Sequence, residues 1–333
     1  MSMALPAIIE PAAAEPEATT TRRRLRLPRL PWGAILRRTP LVLAAAGALY
    51  YGAVGLSMHR IDDDPEFVPP EHLAGGSAAV SMAAALIDRE VNEHRWMAND
   101  PFIAPNAFLD DAPNFQLGIQ RAAARFSFEL LDQIARTRGS SRSDRDLERA
   151  TGYLSFPGDI WVLNFQKSLL PMVPSEDQYR AGLRALASYN ERLGRGDAVF
   201  QRRADALAET LSRISGDLGS SAAQLDNVRS GGVWIFSSEA DDVFYQNKGM
   251  LYAYSMILSE LGRDFESLIQ QRGAAAMWAQ AMDSLEQASR IHPLVVLNAP
   301  SEGSIFANHL MLQGFYMKRA ILQLEEVASV LAV

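Results

Sequence analysis

Residues 40–58 read PLVLAAAGALYYGAVGLSM, the one uncharged run in the chain long enough to cross a bilayer. As a helix, the part from Leu41 to Met58 would reach about 27 Å at about 1.5 Å per residue, against the roughly 30 Å of a hydrocarbon core. The run is rich in Ala and Gly, and Tyr50 and Tyr51 fall in its middle rather than at an interface. A cleaved secretory signal is the competing reading. Against it stand a long polar leader, an apolar run at the upper length for such a signal, and the lack of an Ala-x-Ala site before His59. The expectation is an uncleaved anchor.

Seven arginines (Arg22, Arg23, Arg24, Arg26, Arg29, Arg37 and Arg38) precede the run against three glutamates, a local charge of +4. Asp62, Asp63, Asp64 and Glu66 follow it. Positive charge near one end of a span sets its orientation, so the N-terminus is expected in the cytoplasm and the remainder in the periplasm. Removing the leading +4 from the chain's −7 leaves −11 for the anchor and body, an acidic balance that argues against nucleic acid as a partner. Residues 1–39 read as a disordered basic cytoplasmic segment, 40–58 as the anchor, 59–76 as a Pro- and Gly-punctuated linker and 77–333 as a helical periplasmic domain, with a candidate division near 195. The absence of Cys removes disulfides, thiolate metal sites and cysteine nucleophiles.

The body's apolar spacing is helical throughout. Ser77 is expected to cap a helix to about Met97, and Asn114 to open one that runs to about Gly139 with Phe115, Ile119, Ala122, Phe126, Leu130 and Ile134 on one face. Ser143 with Asp146, and Ser175 with Gln178, have capping-box spacing. Asp159 is expected to cap a helix from Ile160 to Leu170, and Asp197 one that pauses at Gly216–Ser221 before a short segment to Arg229. Ser238 and Asp241 would start a helix through Leu261. Asp264 would start another, bent at Gly273, and Ser304–Val330 would be the last. The fold expected is all-α: one transmembrane helix, then a bundle of seven or eight helices.

Three clusters invite a functional reading. Glu239, Asp241 and Asp242 fall in one helical turn, where the macrodipole alone accounts for negative charge. A cation or basic-partner site with Asp62–Asp64 is the alternative. Asn298, Ser301, Ser304, Asn308 and His309 surround a helix N-terminus able to take an anionic group, against a capped helix followed by a hydrogen-bonded Asn and His. Glu90 and His94 are four apart, but no second metal-ligand pair repeats, so a surface hydrogen bond suffices. No nucleotide-binding or hydrolase motif occurs, and neither a cofactor nor a metal is expected.

The phrases MHRIDDDPEF after the span, then SGGVWIFSSEADDVFYQNKGMLYAYSMILSEL, then HPLVVLNAPSEGSIFANHLMLQGFYMKRA resemble a bacterial inner-membrane family catalogued as domain of unknown function 2333. The likeness runs from about Met58 to Leu324, with VLNAPSEGSIFANH and EADDVFYQNKG its most specific parts. It implies an anchor with a helical periplasmic body, and it transfers no catalytic residue. The expectation is a non-enzymatic adaptor or scaffold for other envelope components. The alternative is a ligand-binding or hydrolytic domain whose site joins 238–248 to 298–309.

Overall fold

The computed structural model describes residues 32–69, 75–101, 103–105, 109–138, 143–163, 168, 170–230, 237–293, 295–298 and 308–332. The readings for the basic leader before Trp32, for 231–236, and for Ser301 and Ser304 lie outside these residues. Two compact units are distinguished, Met1–Ala45 and Ala46–Val333. Among the described residues the structure is helical, apart from one isolated antiparallel bridge between Asn298 and Asn308.

The N-terminal apolar helix begins with α1 (Trp32–Ala48), passes through a π-helical turn at Leu49–Val54, and ends with α2 (Gly55–Met58). From Arg38 to Ser57 this helix is long and apolar enough to cross a membrane, and only 6% of it is buried, unlike the core helix of a soluble bundle. Then come α3 (Ala78–Asp88) with a π-helical extension at Arg89–Glu93, α4 (Asp111–Arg138), α5 (Arg145–Leu154), α6 (Ser175–Arg195), α7 (Ala204–Ser230), α8 (Ser238–Asp264), α9 (Glu266–Gln271), α10 (Ala275–Ser289) and α11 (His309–Ala332). Eight of these body helices have ten or more residues, in keeping with the seven or eight expected; the short α9 is the addition.

Helices α4 and α8 cross in backbone contact. A Cβ built on Gly118 would lie 2.1 Å from the Gln246 carbonyl oxygen, and one on Gly249 would lie 2.0 Å from that of Phe115. Only glycine on both sides permits this approach, which brings the start of α4 beside that of α8. Around the crossing, Phe115, Ile119, Phe126, Tyr252 and Tyr254 are almost fully buried. Each such side chain contributes about 1.5–3 kcal/mol of transfer free energy.

Ser77 caps α3 as the sequence implies, its side chain accepting from the Val80 amide. The same N-terminus receives a second cap from Asp264, whose carboxylate accepts from the Ala78 and Ala79 amides at 2.9 and 3.1 Å. Asp264 therefore ends α8 and does not begin a helix. Gly273 at φ +67° separates α9 from α10, a conformation that glycine adopts without strain.

Other boundaries differ for local reasons. Helix α4 starts at Asp111, three residues before Asn114, because Pro113 sits in its first turn, where no N–H is needed. Asp144, one residue after Ser143, caps α5. The described residues between Ile160 and Leu170 are not helical, so the helix expected after Asp159 is not seen there. The Ile160 amide donates to Ser175 Oγ, the Ser175 amide to the Ile160 carbonyl and the Met172 amide to the Val162 carbonyl, so this segment closes a loop onto the start of α6. Ser175 thus serves Ile160 and does not cap its own helix. Helix α7 begins at Ala204, since 197–203 is a loop, and continues unbroken through Gly216 and Gly219. Its buried face, Leu211, Ile214, Leu218, Ala222 and Leu225, outweighs the roughly 1 kcal/mol that each helical Gly costs.

Candidate functional site

The three aspartates after the apolar helix, Asp62–Asp64, are bound to the body. Arg89, 2% exposed, projects from the π-helical turn that extends α3. Its Nη2 donates to the Asp62 carbonyl oxygen at 2.8 Å, its Nη1 to the Tyr252 hydroxyl at 3.0 Å and its Nε to Glu90 Oε1 at 3.0 Å. The Tyr252 hydroxyl in turn donates to the Asp64 carbonyl oxygen at 2.7 Å. The guanidinium lies over the Phe67 ring, 4.6 Å from its centroid, so it is sandwiched in both polar and aromatic contact. Burial opposes its charge, but Glu90, Tyr252 and Asp62 outweigh that and hold its pKa above the ordinary value.

Lys248 of α8 holds the next residue. Its Nζ lies 2.6 Å from Asp63 Oδ2, 2.5 Å from the Ser289 carbonyl oxygen and 3.0 Å from that of Ile291. Three acceptors saturate the three protons of an ammonium. Burial pulls the Lys248 pKa below its ordinary value although Asp63 opposes the shift. His292 Nε2 stands 3.0 Å from the same Asp63 oxygen, and His94 Nε2 3.4 Å from Asp62 Oδ2. Glu90, 1% exposed, is 3.5 Å from His94 Nδ1. The Glu90–His94 pair is therefore buried in this network and is not the surface hydrogen bond expected.

A second cluster lies where α4 and α8 begin. Carboxylate oxygens of Asp110, Asp111 and Asp241 all fall within 4.8 Å of one another. Asn114 Nδ2 donates to Asp242 Oδ1 at 2.7 Å, and His59 Nε2, just past the apolar helix, is 3.5 Å from Asp111 Oδ2. Burial, then the hydrogen bond to Asp111 and its charge, push Asp241 up to about 8. Burial acts on Asp111 in the same direction, but hydrogen bonds from His59 and Asp241 outweigh it and hold its pKa down. Asp242 is raised by burial and by Asp110. Burial and Asp111 thus favour the protonated form of Asp241, while His59 and Asp241 favour the ionised form of Asp111. Such a set suits a shared proton or a hard, oxygen-preferring cation. A cavity of about 380 Å³ adjoins it, lined by Asp111, Ser237, Asp241, Tyr245, Val295 and Val296 among others.

Among the sequence candidates, Glu239 is exposed while Asp241 and Asp242 join this cluster. Asn298, Asn308 and His309 form a separate clasp. Asn308 Nδ2 donates to Asn298 Oδ1 at 3.2 Å, the Leu297 amide to His309 Nδ1 at 3.0 Å, and the His309 amide to the Leu297 carbonyl. Burial lowers the His309 pKa, which keeps Nδ1 free to accept. The two segments share packing, since Ala240 and Phe244 lie in one apolar cluster with Val296 and Leu310. The cavity beside Asp241 is walled by Val295 and Val296, and the clasp side chains are not among its lining residues.

Sequence reasoning passed over Asp110, Asp111 and Arg89, and reached Lys248 only as the end of the 238–248 stretch. The glycines at 118 and 249, which force the start of α4 against that of α8, were the available signal for the first pair.

The match to known families covers residues 69–232 and 232–332, nearly the whole body, and the family is described as an uncharacterized protein conserved in bacteria, DUF2333. The chain belongs to the DUF2333 family. No curated protein and no solved structure matches it. For this DUF2333 chain the chemistry therefore has to be read from its own residues. The matched region contains Arg89, Lys248 and the aspartates of α4 and α8, whereas Asp62–Asp64 and His59 lie just before it.

Proposed function

We propose that this DUF2333 protein is a single-pass inner-membrane protein, N-terminus in the cytoplasm, whose helical periplasmic body is a non-enzymatic adaptor or scaffold for envelope components. The observation that supports it is the docking of Asp62–Asp64 onto Arg89, Tyr252 and Lys248. A free linker would let the body tumble at the end of its anchor. This one spends two buried cations on fixing the body immediately after the helix, which suits a protein that presents a defined face at a defined height. The arginine excess before residue 40 supports the orientation.

The test has two parts. Reporter fusions before Arg22 and after Val333 should report cytoplasm and periplasm respectively. Photo-crosslinkers placed on exposed body positions in native membranes should give discrete protein adducts. Inverted reporters would overturn the topology, and turnover of an envelope substrate without any adduct would overturn the adaptor.

A second reading, a ligand-binding body, is favoured by the cavity that Asp111, Asp241 and Tyr245 share with Val295 and Val296. It requires that magnesium or calcium raise the unfolding midpoint of the wild type and leave that of Asp241→Asn unchanged. An equal response in both eliminates it.

A further inference from the structure

The loop before α4 leans on the anchor helix itself. The Tyr50 hydroxyl donates to the Ile103 carbonyl oxygen at 3.0 Å. Tyr50 is seven residues before Ser57, the outer end of the apolar helix, so this bond lies about 10 Å inside that end at about 1.5 Å per residue. Water would satisfy a loop carbonyl on a protein surface. In hydrocarbon an unsatisfied carbonyl costs several kcal/mol, and a tyrosine in mid-span that gives its hydroxyl to one removes that cost. The π-helical turn at Leu49–Val54 falls at the same level, where the helix is rewound around Tyr50 and Tyr51.

The loop's composition agrees. No charged residue occurs between Asp100 and Asp110. Ile103 is 56% exposed, and beside it on the helix Tyr50 is 43% and Val54 40% exposed, so apolar groups face outward where a soluble loop would carry polar ones. Within the loop the Ala104 amide donates to the Pro101 carbonyl at 2.8 Å. At the loop's base Asp100 is paired with Arg95 at 2.6 Å.

We infer that the loop around Ile103 is a second membrane contact, entering the outer leaflet alongside the anchor, with lipid acyl chains and glycerol backbones as its partner. This rests on the membrane-anchor reading. With the aspartate strap it makes the body a seated one: the strap fixes the exit of the helix, and the loop fixes the body's rotation about it.

The cysteine-free chain permits a direct test in the full protein, reconstituted in phosphatidylethanolamine and phosphatidylglycerol vesicles. A polarity-sensitive fluorophore is attached to Ile103→Cys, Leu43→Cys or Asp197→Cys, and nitroxide lipids with the spin label shallow or deep in the acyl chain are added. The Ile103 label is expected to emit blue-shifted relative to Asp197 and to lose most of its emission to the nitroxide lipids, the deep label included. Leu43 should be quenched as a spanning residue, and Asp197 by neither lipid. An Ile103 label that behaves like Asp197 while Leu43 is quenched overturns the loop contact and leaves the anchor standing. An unquenched Leu43 removes the anchor and the inference together. Tyr50→Phe provides the second variant. It leaves Ile103 exposed but unbonded, and reduced quenching at Ile103 is the expected shift.

Discussion

Lys248 Nζ lies 2.6 Å from Asp63 Oδ2, the ammonium 1% and the carboxylate 12% exposed, although the two residues are 185 positions apart in the sequence. A buried pair of this kind adds little net stability over apolar residues of similar volume, yet removing one partner strands a charge. Asp63→Asn or Lys248→Met should each destabilise the body by about 3–5 kcal/mol. The double variant should lose less than the sum, because it leaves neither charge behind. Urea unfolding of the full chain in detergent, followed by circular dichroism, measures this. Additive losses would mean that the pair is not coupled.

Arg89 tests whether shape or charge holds the strap. Lysine would keep the charge but lose the fork that reaches Asp62, Glu90 and Tyr252 together, and it would lose the flat stacking on Phe67. Arg89→Lys should therefore cost about 2 kcal/mol or more. It should also make the 60–76 segment more sensitive to limited proteolysis, at a protease dose that leaves the wild type intact. Unchanged cleavage would show that the strap does not depend on the guanidinium.

Gly118 and Gly249 have no room for a methyl group against the opposite backbone. Alanine at either position must push α4 from α8, and because backbone cannot rotate aside as a side chain does, the loss should reach about 3 kcal/mol. Gly219 is the internal control, since nothing lies within 4 Å of its Cβ direction, and Gly219→Ala should stabilise through helix propensity by up to about 1 kcal/mol. Thermal melts of the three variants decide it. Equal small effects would mean that the crossing relaxes.

What the sequence made legible follows from the range of each signal. Caps and apolar stripes act within one or two turns, so α3, α4, α6, α8 and α11 could be read from Ser77, the Phe115–Ile134 stripe, the Tyr179–Leu193 stripe and their like. Choices made across long separations could not. Asp264 looks like a helix start because Asp is a good cap, but the amides it caps are those of Ala78 and Ala79. Ser175 has capping-box spacing, but its hydroxyl is taken by Ile160. Asp62–Asp64 read as a solvated acidic linker, because nothing local announces that Arg89 and Lys248 will be buried opposite them. The Asp241 cluster was half legible: its α8 members stand together in sequence, and its α4 members arrive only through the Gly118–Gly249 contact.

Asp241 ties that cluster to pH. Its pKa is raised from 3.8 to about 8 in the folded protein. Between about pH 4 and 8 the folded state holds a proton that the unfolded chain has released, so stability falls as pH rises through that window and levels off above it. Asp242, also raised, acts in the same direction. Asp111, whose pKa is lowered, contributes stability above its unfolded value that is lost only at more acidic pH, below this window. Asp241→Asn keeps a donor for Asp111 and cannot ionise, so it reproduces the protonated state at every pH. Its unfolding midpoint should match the wild type below about pH 4, exceed it by a growing margin up to about pH 8 and vary less across that window. Parallel curves for the two proteins would show that Asp241 is ionised throughout, which would remove the shared proton from the site.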